Sequence, residues 1–226
     1  KQGGRPWRFE TFGLCTFYQE GIGKEKLLGV FSGIARALSL AGVFKVINMQ
    51  YLGQRRHHNY RQPDGVLMPN KSLDWHIELA RKNSQREGFL NSTVLLDSLK
   101  ENWTSEANLR YELAVINEPL HYHSNAIRSV NGVGREVHGT VISLHPYRLL
   151  LQPDFLLRTQ MLTMHELGHV FGLFTEVGSQ DPTDEEMKKM HCQNNCAMHI
   201  YREIDQEREI RNRPFCPSCL EKLKQF

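Results

Sequence analysis

The sequence of 226 residues predicts an α/β (α+β) domain, with a mixed, twisted sheet covered by helices and a small helical C-terminal part. Two observations support this fold class. Strand-like and helix-like hydrophobic patterns alternate through the N-terminal half. Four of the five cysteines lie between positions 192 and 219, in a tail with a helical pattern that Pro214 and Pro217 interrupt. Because 40% of the residues are hydrophobic, the chain is able to bury a core.

The elements of the N-terminal half are predicted from hydrophobic spacing. Alternating apolar residues such as Phe12 and Leu14 indicate a strand, and apolar residues at helical spacing such as Leu27 and Ile34 indicate a helix. The predicted strands cover residues 8–17, 43–52, 111–116 and 138–144. The predicted helices cover residues 24–40, 73–81 and 89–103. A turn is predicted at the glycines 132 and 134, just before the last of these strands.

A further helix is predicted over residues 155–170, which are rich in Leu, Met and Phe. Pro153 and Asp154 form its start signal, with Asp154 as the expected N-cap. Gly172 is expected to end it, because glycine accepts left-handed backbone geometry. The sequence predicts one domain over 1–226, with an N-terminal α/β subdomain over 1–172 and a C-terminal subdomain over 173–226.

Charge and hydropathy exclude several classes of partner. The net charge is only +3 and no dense Lys/Arg run is present, so no nucleic-acid partner is expected. No stretch of 18 or more apolar residues occurs, so no membrane partner is expected either. The chain begins at Lys1 without an apolar signal core. A cytoplasmic location and a monomeric state are expected.

The sequence His-Glu-Leu-Gly-His at residues 165–169 is the strongest chemical signal in the chain. Residues four apart lie on one face of a helix, so His165 and His169 can direct two imidazole nitrogens at one zinc ion. Glu166 lies between them and is the candidate catalytic residue, a general base for a zinc-activated water. The alternative is two histidines that are four residues apart by chance, on the surface or in the core.

The C-terminal cysteines form two close pairs. Cys216 and Cys219 enclose two residues, and Cys192 and Cys196 enclose three. Two such loops can direct four thiolates at one point, as a closed structural zinc site requires. Two disulfides are the alternative, which the absence of a secretion signal disfavours. Cys15 stands apart and is interpreted as a buried core thiol.

A zinc hydrolase needs a third protein ligand and an open position for water. Residues 165–172 match the opening of the extended metzincin motif, in which the third ligand follows the glycine after two more residues. That position holds Thr175, which is not a usual zinc ligand. The next histidine is His191, which directly precedes Cys192.

This junction and the residues after it resemble the archaemetzincin family. In that family a third histidine is followed at once by the first of four zinc-binding cysteines, and a Cys-x-Met segment supplies a methionine turn beneath the catalytic zinc. Cys196 and Met198 match this segment, and 17 residues separate Met198 from Cys216, as in the family. The resemblance implies His191 as the third catalytic zinc ligand and Met198 as the methionine of the turn. It also implies a structural zinc on four residues, namely Cys192, Cys196, Cys216 and Cys219.

The chain departs from the family pattern at two places. The stretch from Gly172 to His191 is 16 residues longer, and the first two cysteines enclose three residues where the family usually has four. A loop extension of this size costs only about 1 to 2 kcal/mol in closure entropy. The extension contains acids that compete with His191 for the role of third ligand: Glu176, Asp181, Glu185 and Glu186.

The resemblance is strongest over residues 165–223. It implies a zincin/metzincin-type fold with an active-site helix and a C-terminal subdomain that is stabilised by zinc. It implies a zinc metallopeptidase that carries two zinc ions, one catalytic and one structural, and that acts on a peptide or protein substrate. Aminopeptidase activity is one expectation. The strand predicted over 138–144 is expected to be the sheet edge that pairs with the substrate backbone. The rival is a non-hydrolytic, zinc-stabilised protein-binding module with an occluded metal site, in which the inserted segment covers the metal or donates a fourth ligand.

Overall fold

The computed structural model describes most of the chain. The described residues are 12–42, 47–51, 59–61, 67–69, 73–100, 110–122, 129–136, 139–174, 183–200 and 202–225. Their strands are β1 (Phe12–Tyr18), β2 (Ile47–Tyr51), β3 (Asn59–Arg61), β4 (Leu67–Pro69), β5 (Leu90–Asn91), β6 (Arg110–Ile116), β7 (Leu120–His121), β8 (Ser129–Val130), β9 (Gly132–Arg135) and β10 (Gly139–Ser143). Their helices are α1 (Lys24–Ala41), α2 (Leu73–Lys82), α3 (Ser92–Lys100), α4 (Gln152–Val170), α5 (Asp184–Lys189), α6 (Ile204–Ile210) and α7 (Pro217–Leu223).

The predicted mixed α/β fold is confirmed. Within the described residues, the main sheet has the strand order β2-β1-β6-β10-β9. The first four strands run parallel and β9 is antiparallel to β10. Strands buried on both faces need continuous apolar runs, and the middle of β6 supplies one in Leu113, Ala114 and Val115, each fully buried.

Helices α1 and α4 pack closely against each other and thereby fix the position of the residue 165–169 motif. Gly29 and Gly33 of α1 face Thr159 and Thr163 of α4. A Cβ atom at Gly29 would lie 1.9 Å from Thr159 Oγ1, and one at Gly33 would lie 2.6 Å from Thr163 Cβ. The two glycines therefore permit the close approach of the helices, a function that hydrophobic spacing does not reveal.

The start of α4 differs from the prediction. The helix begins at Gln152 with Leu151 as its N-cap, so the assignment of Asp154 as N-cap is wrong. Pro153 lies in the first turn, where its missing N–H costs no hydrogen bond. Asp154 also lies in that turn and pairs with Arg208 of α6 at 2.7 Å. As expected, the helix stops just before Gly172, whose φ is +70°.

The sheet edge also differs from the prediction. The segment predicted over 138–144 is β10, which lies between β6 and β9, so it is not the edge strand. Gly132 and Gly134, predicted to form a turn, belong to β9, which occupies the edge of the described sheet. A strand of four residues with two glycines carries too little hydrophobic alternation to be seen in sequence.

Several other predictions are tested only in part. The helix predicted over 89–103 is replaced at its start by β5, and α3 begins at Ser92. The side chain of Cys15 and residues 175–182 lie outside the described parts. None of the described helices is long and apolar enough to cross a membrane. The two subdomains, the monomeric state and the cytoplasmic location stay predictions.

Candidate metal centres and active-site cleft

Three histidines come together at the C-terminal end of α4. His165 and His169 lie one turn apart on this helix, and His191 follows α5 and closes the group. Each offers one ring nitrogen, and the three ligand atoms lie within 4.8 Å of one another. The Nε2 atoms of His165 and His169 are 3.2 Å apart. Tetrahedral zinc with Zn–N bonds of about 2.0 Å would hold two nitrogens roughly 3.3 Å apart, so the group fits zinc.

Each imidazole is oriented by a backbone carbonyl on its other nitrogen. His165 Nδ1 donates to Ala197 O at 2.8 Å, His169 Nδ1 to Phe174 O at 3.0 Å, and His191 Nδ1 to Met187 O at 2.6 Å. A carbonyl oxygen only accepts, so the proton of each neutral ring is on Nδ1 and the lone pair is on Nε2. Three Nε2 lone pairs that face one another repel unless a cation lies between them. These hydrogen bonds are the usual support of metal-bound histidine.

The protein environment also keeps the His165 and His191 rings neutral, as metal binding requires. Burial, followed by the neighbouring His169 and His191, holds the pKa of His165 well below its usual range. Burial, followed by His169, lowers the pKa of His191 to about 4.

Local structure explains how His191 reaches the group. Thr183 caps α5 in a reciprocal capping box with Glu186. The carboxylate of Glu186 accepts from the backbone N–H and the hydroxyl of Thr183, at 2.7 and 2.9 Å. Glu186 is thus engaged in the cap, and Glu185 is exposed. The two other competing acids, Glu176 and Asp181, lie outside the described residues.

The carboxylate of Glu166 is held beneath the edge strand β9. Glu166 is 4% exposed and lines the same cavity as the three histidines. A Cβ atom at Gly132 would lie 2.7 Å from Glu166 Oε1, and one at Gly134 would lie 2.3 Å from the Glu166 carbonyl oxygen. Only glycine at both positions lets the strand lie this close to the helix. The sequence predicted only a turn at these two glycines. Their role in shaping the site was not predicted, although their Gly-x-Gly spacing is visible in the sequence.

Met198 packs against α4, the helix that carries His165 and His169. It is fully buried, and a Cβ atom at Gly168 would lie 2.2 Å from its sulfur. The loop that carries it is closed by the Cys192 N–H, which donates to Met198 O at 3.0 Å. The same loop presents the Ala197 carbonyl to His165. Gly168 therefore allows the methionine and its loop to approach the histidine helix.

Gly168→Ala is expected to destabilise the protein by about 1 to 3 kcal/mol, because the new methyl group overpacks the contact with Met198. The free energy of unfolding by urea measures this. In a double-mutant cycle, Met198→Ala should remove most of the penalty of the alanine, because the clashing atoms are gone. Additive effects of the two substitutions would contradict this contact.

The four cysteines predicted as a structural zinc site also come together. The Sγ atoms of Cys192, Cys196, Cys216 and Cys219 lie within 4.8 Å of one another, and none of these residues is in a disulfide. The Sγ atoms of Cys192 and Cys216 are 3.7 Å apart. Zn–S bonds of about 2.3 Å in a tetrahedron give roughly 3.8 Å between sulfurs, so this group also fits zinc.

Four thiols this close cannot all ionise without a cation. Burial raises the pKa of Cys192 to about 11, and a hydrogen bond to Cys196 together with burial raises the pKa of Cys219. The hydrogen bond from Cys219 lowers the pKa of Cys196 to about 5, so the neighbouring residues stabilise the Cys196 thiolate. Zinc would allow the remaining thiols to ionise. Because His191 directly precedes Cys192 in the chain, the cysteine cluster also holds the third histidine in position.

The cavity beside the histidines has a volume of about 230 Å³. Its walls come from β9, α4 and the segment around His191 and His199. His199, which has no ligand spacing with the motif at residues 165–169, also lines the cavity.

Comparison with known proteins agrees with this arrangement. No protein-family model matches the chain. An archaemetzincin of Thermococcus kodakarensis is 31% identical over 113 residues, which span 45% of this chain and 50% of the relative. The matched part is thus about half the length of that curated relative. The crystal structure of archaemetzincin from Methanopyrus kandleri superposes with a TM-score of 0.60 at 20% identity, covering 97% of both chains.

The partial sequence match and the fold both relate this chain to archaemetzincins. Over the matched segment this chain is a homologue of archaemetzincin, and over nearly all of its length it has the archaemetzincin fold.

Proposed function

We propose that this chain is a zinc-dependent peptidase in which His165, His169 and His191 hold the catalytic zinc and Glu166 is the general base. One observation carries the proposal: three inward-facing Nε2 atoms and one buried carboxylate line a single cavity beneath an edge strand. When bound there, zinc would polarise a peptide carbonyl and make water more acidic.

The residues of the chain supply the remaining chemistry. Glu166 would take a proton from the attacking water and pass it to the leaving amine. Its position against Gly132 and Gly134 restricts the carboxylate to the floor of the cavity. The outer edge of β9 would pair with the substrate backbone and so orient the carbonyl over this carboxylate. Met198 would support the three-histidine group from below as the methionine of the turn.

The binding-module alternative requires that the inserted segment cover the metal or donate a fourth ligand. Within the described parts of the chain, a cavity of about 230 Å³ reaches His165, Glu166, His169 and His191, an arrangement that supports hydrolysis. A carboxylate between two ligands also has no purpose in a purely structural site. Aminopeptidase activity is a narrower form of the proposal, which requires that the substrate amino terminus be bound as well.

Peptide hydrolysis that depends on the histidine-bound metal is the test of this function. The freshly purified reduced protein is expected to contain two zinc ions by native mass spectrometry. A chelator should remove the cleft zinc first, abolish cleavage of quenched peptides and leave the fold intact, because the buried cysteine site stabilises by roughly 10 kcal/mol or more. Zinc should then restore cleavage. Aminoacyl-coumarin substrates distinguish aminopeptidase from internal cleavage.

A single zinc at saturation would contradict the two-site proposal. Cleavage that continues after the cleft zinc is lost would contradict the assigned mechanism.

A further inference from the structure

The cavity has a charged end in addition to its metal-binding end. Arg158, Arg202, Glu207 and Tyr147 line it and are here called the arginine pocket. The side chains of Arg158, Arg202 and Glu207 are 19%, 8% and 4% exposed. Arg158 precedes His165 by seven residues on α4, which corresponds to about 10 Å along the helix axis. One cavity thus joins the histidines to a buried group of charges.

The arginine pocket is positively charged. Glu207 Oε1 lies 3.2 Å from Arg158 Nη1 and 3.5 Å from Arg202 Nε, so a single carboxylate serves two guanidinium groups. Arginine stays protonated in proteins, whereas Glu207 is either ionised or neutral. In both states the pocket keeps a net positive charge.

The two arginines have different tasks. Arg202 donates to the carbonyls of His199 at 2.7 Å and Cys196 at 3.3 Å, and also to that of Ala197, so it fastens the loop that carries Met198. Arg158 Nη1 donates hydrogen bonds to the Arg202 carbonyl at 2.7 Å and to Glu207 Oε1 at 3.2 Å. Among the described residues, no acceptor is bonded to Nε or Nη2 of Arg158. Arg158 therefore brings unused donors to the cavity wall.

Stability alone does not account for this group. Buried ion pairs gain little over well-packed apolar residues, because desolvation offsets their attraction. Glu207 Oε2 and Arg202 Nε are buried and have no hydrogen-bond partner within the described parts of the chain. Tyr147 accepts from Asn131 at 3.0 Å, and burial, together with the negative charge of Glu207, raises its pKa to about 12, so its hydroxyl keeps a proton to donate.

We infer that the arginine pocket binds a substrate carboxylate, with Arg158 as the specificity-determining residue. The carboxylate would belong to an Asp or Glu side chain or to the C-terminus of the peptide. The inference rests on the proposed peptidase function. A guanidinium with free donors, a phenol hydroxyl and a net positive charge together match a carboxylate, which accepts up to four hydrogen bonds.

The direction of β9 indicates which substrate residue carries this carboxylate. Asn131, just before β9, bonds Tyr147 of the arginine pocket, whereas the next residues of the strand lie over Glu166, with Gly132 against its carboxylate and Gly134 against its backbone carbonyl. A peptide added antiparallel to β9, the more stable pairing, runs from Glu166 towards the arginine pocket. The carboxylate therefore lies on the C-terminal side of the cleaved bond.

Binding of small hydroxamates tests the pocket independently of peptidase activity. Titration calorimetry of the zinc-loaded protein would compare glutaric acid monohydroxamate with its carboxamide counterpart, which differs only in charge at the far end. The acid is expected to bind at least about tenfold more tightly. In Arg158→Met this preference should disappear, and in Arg158→Lys it should remain.

Arg208→Met is the matched control. Arg208 also joins α6 to α4, through Asp154, but is 52% exposed and does not line the cavity, so its variant should keep the preference. Equal affinities in the unmodified protein would overturn the inference, and so would a preference that survives in Arg158→Met. Should Arg158→Met fail to fold, the comparison in the unmodified protein still decides whether the carboxylate is preferred.

Peptide substrates separate this inference from the proposed function. Peptides with Glu, Gln or Lys after the cleaved bond, each with a free or amidated C-terminus, distinguish the two sources of the carboxylate. Faster cleavage with Glu or with a free terminus is expected. Cleavage without either preference overturns the pocket assignment alone. If no peptide is cleaved but the hydroxamate preference holds, the peptidase proposal fails and the pocket stands.

Discussion

Glu166→Gln is expected to lower the rate of peptide cleavage by about 10²- to 10⁴-fold while the zinc content stays at two ions per chain. Glutamine fills the same space between Gly132, Gly134 and the histidine helix but cannot accept the proton of the attacking water. Because Glu166 is not a ligand in the proposed site, zinc affinity should not change. Cleavage rates of quenched peptides and metal analysis of the same sample measure both quantities.

Glu185→Gln is the matched control for this experiment. Glu185 lies on α5, close in sequence to His191, but it is exposed and does not line the cavity. This variant should cleave peptides at the unmodified rate. If Glu166→Gln kept a tenth of that rate, Glu166 would not be the general base.

His191→Ala is expected to weaken binding of the cleft zinc by more than about 100-fold. Removal of a residue that merely supports a ligand costs 10- to 100-fold, and His191 is a direct ligand in the proposed site. The cysteine cluster should keep its zinc, because its four sulfurs stay in place. Competition with a zinc chelator measures the first affinity, and native mass spectrometry counts the remaining ion.

The acids of the inserted segment are the comparison for this prediction. Glu176→Ala and Glu185→Ala should leave zinc affinity unchanged. A variant of either acid that lost the cleft zinc, or His191→Ala that bound it like the unmodified protein, would transfer the third-ligand role away from His191. Loss of both zinc ions in His191→Ala would instead show that the two sites fold as one unit, since His191 and Cys192 are adjacent.

The sequence by itself determined the parts of this protein whose geometry is local. Two histidines four residues apart share a helix face at any position in a fold, so α4 and its ligand pair were predictable. Short cysteine loops fix sulfur positions in the same way, and the cluster was predicted residue by residue. The parallel strands and α1 followed from hydrophobic spacing, because their apolar residues repeat at the periods of a strand and a helix.

Only the tertiary structure decided which distant segments meet. Spacing alone could not predict that His191 contacts the histidine helix, because the inserted segment makes the chain depart from the family pattern. The Nδ1 bond from His165 to the Ala197 carbonyl, the position of β9 above Glu166 and the pocket around Arg158 each join parts of the chain far apart in sequence. Such contacts depend on how helices and strands pack. A single glycine or arginine in a sequence does not indicate which residue it will contact in the folded protein.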